Sequence, residues 1–214
     1  MTDPAAFQSL AKTLGCDLPV ESAARLLAFL DAMLEENQHV NLTAVRERGA
    51  AVLFHALDSV ALGCGGLETP PEEALDLGTG NGFPGVAIAC LFPNAHVVLM
   101  DRTLKKLKAI ERALASAGFD AAQFATVQMD AGEAPAHGYR SKFDLITTRA
   151  VGPPNEMGLL AKPLLRKGGR LLVWLSDETE APTTLKGGLR QLGRVEYTLP
   201  APANRFRRLI HYGH

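Results

Sequence analysis

The stretch Leu75-Asp76-Leu77-Gly78-Thr79-Gly80-Asn81-Gly82-Phe83-Pro84-Gly85 constrains this chain more than any other. An apolar run carrying one acid passes directly into four glycines, with Pro84 among them. Neither a strand nor a helix needs so much glycine for its own sake. Glycine at this density marks a turn that requires positive φ, or a backbone against which something must lie closely.

The surrounding pattern says what kind of turn. Short apolar runs, ALDLG, HVVLMD, FATVQM, FDLITT and GRLLVWL, alternate with helical segments. One of these, TLKKLKAIERALASAG, opens on Thr103 as N-cap and closes on Gly118 as the residue past its end. Such alternation implies an α/β fold, with right-handed crossovers building a parallel sheet covered on both faces by helices. The glycine cluster is then the turn from the first strand into the next helix, and ligands of such sheets bind at the carboxyl ends of the strands.

Upstream the period is helical. Val20, Ala23, Ala24, Leu27, Leu30 and Leu34 form one stripe, and residues 47–62 carry a second pattern through Val52, Leu53, Ala56, Leu57, Val60 and Ala61. The punctuation GCGGLETPPEE then suggests a boundary, dividing a helical extension, residues 1–68, from a ligand-binding domain, residues 69–214. A chain of 214 residues suits one ordinary domain with such an appendage. Cys16, Cys64 and Cys90 lack C-x-x-C spacing, which argues for free packing thiols in a reducing cytosol and against a zinc site. No run reaches the roughly 18 apolar residues of a membrane span, and the first residues lack the pattern of a secretion signal, so the expectation is a cytoplasmic protein without membrane contact. Charge is divided unevenly: residues 1–139 hold 9 Lys and Arg against 17 Asp and Glu, and residues 140–214 hold 13 against 6. That asymmetry hints at an anionic partner for the later part.

Two cofactor classes use a glycine turn of this kind. Gly80 to Gly85 fits the G-x-G-x-x-G of dinucleotide enzymes, although a lone match is weak evidence. Asp76 inside the strand favours an amine-bearing cofactor over a pyrophosphate, and Pro84 removes an N–H where a pyrophosphate would want a donor. Both suit S-adenosylmethionine. Asp101, at the end of the second strand, can accept from ribose hydroxyls in either case.

LDLGTGNGFPGVAIA resembles the cofactor loop of the ribosomal RNA small subunit methyltransferase G family, also called glucose-inhibited division protein B. Asn41-Leu42-Thr43-Ala44-Val45-Arg46, His55-x-x-Asp58-Ser59 and Thr148-Arg149-Ala150-Val151 agree in order and spacing, so the likeness spans nearly the whole chain. It implies a Rossmann-like class I methyltransferase with a mostly parallel seven-stranded sheet and an N-terminal helical extension. The implied reaction moves a methyl group from S-adenosylmethionine to N7 of a guanosine in 16S rRNA near the decoding centre, within the small subunit or an assembly intermediate. Implied cofactor contacts fall on Gly78 and Phe83, on Ala131 and Gly132 after the third strand, and on Arg149; Asp76, Gly80 and Asp101 join them from the reading above. Where many relatives have Arg-Ala-Glu or Arg-Val-Glu, this chain has Asp130-Ala131-Gly132-Glu133, which leaves a backbone N–H contact to adenine. Phe54 stands where relatives often carry Arg.

Guanine N7 offers its lone pair in the neutral form, so no acid or base is required and none is named. Arg149 is open to a main-chain cofactor contact, a side-chain contact to phosphate or guanine O6, or a surface salt bridge. His55, Asp58 and Ser59 read as a polar network joining the helices to the cofactor domain, Asn41 and Thr43 as organisers of a turn, and Trp174 as core. Lys105, Lys106 and Lys108, with Arg205, Arg207 and Arg208, are the basic candidates for RNA, and weak affinity for naked RNA is expected. Two other readings remain open: a methyltransferase for a small molecule or protein, and a regulatory protein that binds a nucleotide without turnover.

Overall fold

The computed structural model describes residues 2–65, 67, 69–149, 151–176 and 178–214. Glu68, the last residue of the expected extension, and Ala150 of the Thr148–Val151 motif lie outside the described residues.

Seven strands form one sheet: β1 (Glu73–Leu77), β2 (His96–Asp101), β3 (Phe124–Gln128), β4 (Phe143–Arg149), β5 (Leu165–Ser176), β6 (Arg190–Leu199) and β7 (Arg205–Gly213). Their order is β3-β2-β1-β4-β5-β7-β6. The first five pair in parallel, whereas β7 is antiparallel to both β5 and β6. Strand order therefore reverses between β1 and β4, which leaves a crevice above their carboxyl ends.

Alternation along the strands supplies two cores. Ala74, Val97, Leu99, Leu145, Leu172, Trp174 and Leu209 face one side, where they meet the helices α1 (Pro4–Thr13), α2 (Val20–Glu36), α5 (Gly85–Leu91) and α6 (Leu104–Ser116). Leu75, Leu77, Val98, Met100, Ile146, Val173 and Ile210 face the other, beneath α7 (Pro154–Ala161). The N-terminal helices and the sheet thus share one apolar cluster. It runs from Phe7 to Leu209 and includes both α2 and α5.

Two local expectations change. The buried stripe of α2 consists of Ala23, Leu26, Leu27, Phe29, Leu30, Ala32 and Met33, whereas Val20 is exposed; α2 is clamped by α1, α5 and α6 together, so its buried arc is wider than one stripe. The helical pattern at 47–62 is interrupted rather than a regular α-helix. It runs through α3 (Arg48–Ala51), a π-helical stretch (Val52–Leu57), α4 (Asp58–Val60) and a 3₁₀ turn (Ala61–Gly63). Cys16, Cys64 and Cys90 are free thiols, as the sequence suggests, and Cys16 and Cys64 lie close enough that the Cys64 thiol raises the Cys16 pKa while Cys16 lowers that of Cys64.

The α6 boundaries follow the reading: Gly118 takes φ +72° just past the helix. Thr103 occupies the N-cap position, yet its side chain caps nothing. Its N–H is instead held at 2.8 Å by an oxygen of Asp101.

Candidate functional site

A cavity of about 1250 Å³ opens above the carboxyl ends of β1, β2, β4 and β5, at the reversal in strand order. Gly78, Gly80, Phe83, Asp101, Ala131 and Arg149 line it. Asp76 and Gly132 do not.

Asp76 sits beneath the glycine loop, with 1% of its surface exposed. One carboxylate oxygen accepts from the Thr79 hydroxyl at 2.7 Å and from the Gly85 N–H at 3.0 Å. The other accepts from the Thr147 hydroxyl at 2.9 Å. The expected direct contact to a cofactor amine is therefore corrected, because the carboxylate is enclosed and already has three donors. Burial raises its pKa, while those three donors and the nearby Arg149 charge pull the other way. Its position still argues against a pyrophosphate at this turn. The Gly85 N–H that would open the anion-binding end of α5 is taken by Asp76, the Val86 N–H is taken by the Gly82 carbonyl, and Pro84 has none.

Above that buttress the loop is fitted to a ligand. Gly80 adopts φ +57°, and a Cβ built there meets only the Gly78 carbonyl at 3.7 Å, so it would project into open space. Gly78, at φ +74°, has no such room, since its Cβ would lie 2.6 Å from Val151. Asp101 is nearly buried at the cavity wall; besides Thr103 it holds the Gly80 N–H at 3.1 Å. Each of its oxygens accepts from one backbone N–H, leaving acceptor capacity for hydroxyls in the cavity. Phe83 is buried between His55, stacked at 6.1 Å, and Phe29, edge-on at 5.3 Å. Gly132 departs from the expected adenine contact: its N–H donates to Asp130 at 2.9 Å, so an Asx turn consumes the donor.

Arg149, at the end of β4, makes a salt bridge that is buried rather than at the surface. One guanidinium nitrogen donates to Asp58 at 3.0 Å, to Ser59 at 3.2 Å and to the Phe54 carbonyl at 3.2 Å; the other donates to the Phe83 carbonyl at 3.3 Å. With side-chain exposures of 14% and 3%, Arg149 and Asp58 form a largely desolvated pair. Asp58 also accepts from the Tyr197 hydroxyl at 2.7 Å and has Arg207 at 3.5 Å, and its backbone carbonyl accepts from the Trp174 indole at 3.0 Å. Three strands, β4, β6 and β7, thus converge on one carboxylate, and β5 adds a bond to the same residue's backbone.

His55 is structural, as its placement suggested. It is buried against the Thr43 hydroxyl at 3.0 Å, and burial with the Arg149 charge drives its pKa down to about 3. Thr43 organises its turn by also accepting from the Val45 N–H. Asn41 does not share that task. Asn37 does, accepting from the Leu42 and Thr43 N–H groups and donating to the Thr43 carbonyl. Asn37 and Tyr197 are the residues that pattern reading passed over; a single polar residue at a helix end was the only local signal for Asn37, and Tyr197 had none.

Beyond the cofactor loop the cavity continues along Leu42, Val45, Phe54, Pro153 and Ser176 to Arg205 and Arg207. Of the lysines on α6, Lys106 reaches the cavity wall and Lys108 pairs with Glu111 at 2.8 Å. Arg208 turns to the Ser176 and Thr179 carbonyls. Among the described residues no acidic or histidine cluster could hold a metal ion, and no helix is long and apolar enough to cross a membrane.

This sheet order with a cavity at the strand reversal defines a class I methyltransferase fold. Solved structures agree on the fold: the fibrillarin pre-rRNA processing protein of Methanococcus jannaschii superposes with a TM-score of 0.54 at 18% identity, covering 74% of this chain and 75% of that one. The MtNAS protein, solved with MTA and tNA, superposes with a TM-score of 0.57 at 15% identity, covering 91% and 76%. Residues 22–186 match the model of the GidB family, rRNA small subunit methyltransferase G, and the chain belongs to that family. Relatives named ribosomal RNA small subunit methyltransferase G include that of Caldanaerobacter subterraneus subsp. tengcongensis, 31% identical over 185 residues, or 85% of this chain and 76% of the relative. The protein of the same name from Symbiobacterium thermophilum is 33% identical over 181 residues, covering 79% and 72%. The chain is thus an S-adenosylmethionine-dependent rRNA methyltransferase.

Proposed function

We propose that this protein transfers a methyl group from S-adenosylmethionine to N7 of a guanosine in 16S rRNA, near the decoding centre of the small subunit or of an assembly intermediate, in the cytoplasm. The observation that carries the reading is the cavity itself, where an open glycine turn and the Asp101 carboxylate share one wall-to-wall space of about 1250 Å³ with Arg205 and Arg207.

The residues fit the cofactor. Gly80 leaves room for it against the main chain, Asp101 offers acceptors to its ribose, and Gly78, Phe83, Ala131 and the main chain at Arg149 complete the wall. Asp76 acts from below by holding Thr79 and Gly85, so it shapes the loop without touching the ligand. When bound, the cofactor supplies an electrophilic methyl group on a sulfonium. A guanine N7 held in line by this chain's residues would then need only its own lone pair to take the methyl group, with the electron pair of the carbon–sulfur bond returning to sulfur and the positive charge passing to the purine. No proton moves, which suits a cavity where the one histidine is neutral and committed to Thr43. The protein's contribution is alignment, which supplies effective molarities of about 10⁵–10⁸ M, or roughly 7–11 kcal/mol of barrier.

Titration calorimetry with S-adenosylmethionine, its demethylated product and NAD tests the first half; binding of NAD alone sinks the reading. Mapping N7-methylguanosine across 16S rRNA with and without the protein tests the second. A position that keeps its methylation in the absence of the protein is not its target.

A further inference from the structure

We propose that Phe54 is the platform on which the target guanine stacks when it leaves the RNA helix, an inference that rests on the rRNA methylation reading above. The cavity, at about 1250 Å³, exceeds the roughly 300–1,000 Å³ usual for a single small ligand. It therefore has space for a base beside the cofactor.

A purine N7 in A-form RNA lies in a deep, narrow groove that side chains do not enter, so a base methylated there must be unstacked and splayed out. A splayed base needs a replacement for its lost neighbour, and aromatic faces provide it. Four aromatic side chains line the cavity among the described residues: Phe54, His55, Phe83 and Trp174. His55 and Phe83 are buried against each other, and Trp174 is 6% exposed with its indole N–H on Asp58. Phe54 alone of the four is half-exposed. Phe54 and Arg205 also line together a neighbouring cavity of about 480 Å³, so the same surface offers a cation for the phosphate of the nucleotide.

The backbone places this ring with care. Phe54 lies in the π-helical stretch, where two successive residues, Phe54 and His55, both reach the cavity wall. Its carbonyl accepts from Arg149 at 3.2 Å, and the same guanidinium holds the Phe83 carbonyl of the cofactor loop at 3.3 Å. One side chain thus ties the backbone of the platform to that of the glycine loop. Stacking is tolerant of base identity, so Phe54 positions the nucleotide and does not choose it.

The test compares F54L, which keeps apolar bulk without a π face, with F54Y, which keeps the ring. On small ribosomal subunits F54L is expected to lose on the order of tenfold or more in kcat/KM, with S-adenosylmethionine affinity unchanged by calorimetry, and F54Y to restore most of the loss. Wild-type kcat/KM in F54L overturns the proposal, as does an equal loss in F54L and F54Y. In F54W, the introduced indole should be quenched by a single-stranded RNA oligonucleotide carrying one guanosine; absence of quenching also overturns it. If wild-type protein binds S-adenosylmethionine yet methylates no subunit, the methylation reading fails, and the F54W titration still decides whether the ring is a base platform.

Discussion

Replacing Arg149 with Met should destabilise the protein substantially while leaving its shape nearly filled. The guanidinium makes four hydrogen bonds, and its partner Asp58 is 3% exposed. Removing one member of a buried pair strands the other charge at a cost of about 3–5 kcal/mol. Asp58 would keep the Tyr197 hydroxyl at 2.7 Å and Arg207 at 3.5 Å, which favours the lower end, whereas the Phe54 and Phe83 carbonyls would each lose a donor worth about 1 kcal/mol. For a chain of this size about 2–4 °C of melting temperature accompanies each kcal/mol, so R149M should melt roughly 6–20 °C lower. Thermal unfolding followed by circular dichroism, with urea titration alongside, measures this. D58N and the double variant close a cycle in which the two losses should fall short of adding by about 1 kcal/mol or more. R149K, which keeps the charge without the planar fork, should lie between. Melting of R149M within about 2 °C of wild type, or strict additivity, would refute the assignment of this pair as the joint of the fold.

Other outcomes follow from the same geometry. His55 has a folded pKa of about 3 against an unfolded value of 6.5, so its contribution is complete above about pH 6.5 and drains away at about 1.4 kcal/mol per unit as pH falls toward 3; urea midpoints at several acidic pH values should show a shallower slope in H55Q. D76A should leave three buried donors unanswered, losing about 1–3 kcal/mol for each that finds no water and weakening S-adenosylmethionine binding, whereas D101A, which frees the Gly80 and Thr103 N–H groups at the cavity wall where water can reach, should weaken binding with a smaller loss of stability than D76A. G85A should destabilise by about 1–3 kcal/mol, because its Cβ would meet Leu99 and lie 2.9 Å from Asp76; denaturation midpoints check it. G80A should cost about 1–2 kcal/mol in stability through its positive φ yet obstruct the ligand, read as a calorimetric affinity loss larger than that of G85A.

What could be read in the sequence was what is encoded locally. The glycine turn, the alternation of apolar runs and the stop at Gly118 each depend on neighbours within a few residues. The structural role of His55 followed from its place among apolar residues. A carboxylate inside a strand, in contrast, looks the same whether it faces a ligand or its own loop, and only the positions of Thr79, Gly85 and Thr147 around Asp76 decide between them. Arg149 finds Asp58 at a separation of 91 residues, and Tyr197 finds it at 139, so no spacing rule could pair them. The π-helical stretch escaped for a different reason: over six residues its apolar pattern differs too little from that of an α-helix.

The convergence on Asp58 has a consequence for anyone who would engineer this protein. Its partners arrive from the ends of β4 and β5 and from both strands at the antiparallel edge, so the N-terminal helices cannot be exchanged as a cassette with those of another methyltransferase. A transplant that carried the helices without Tyr197, Trp174, Arg207 and Arg149 would deliver an orphaned anion to its host. Chimeras should be cut so that all five residues travel together.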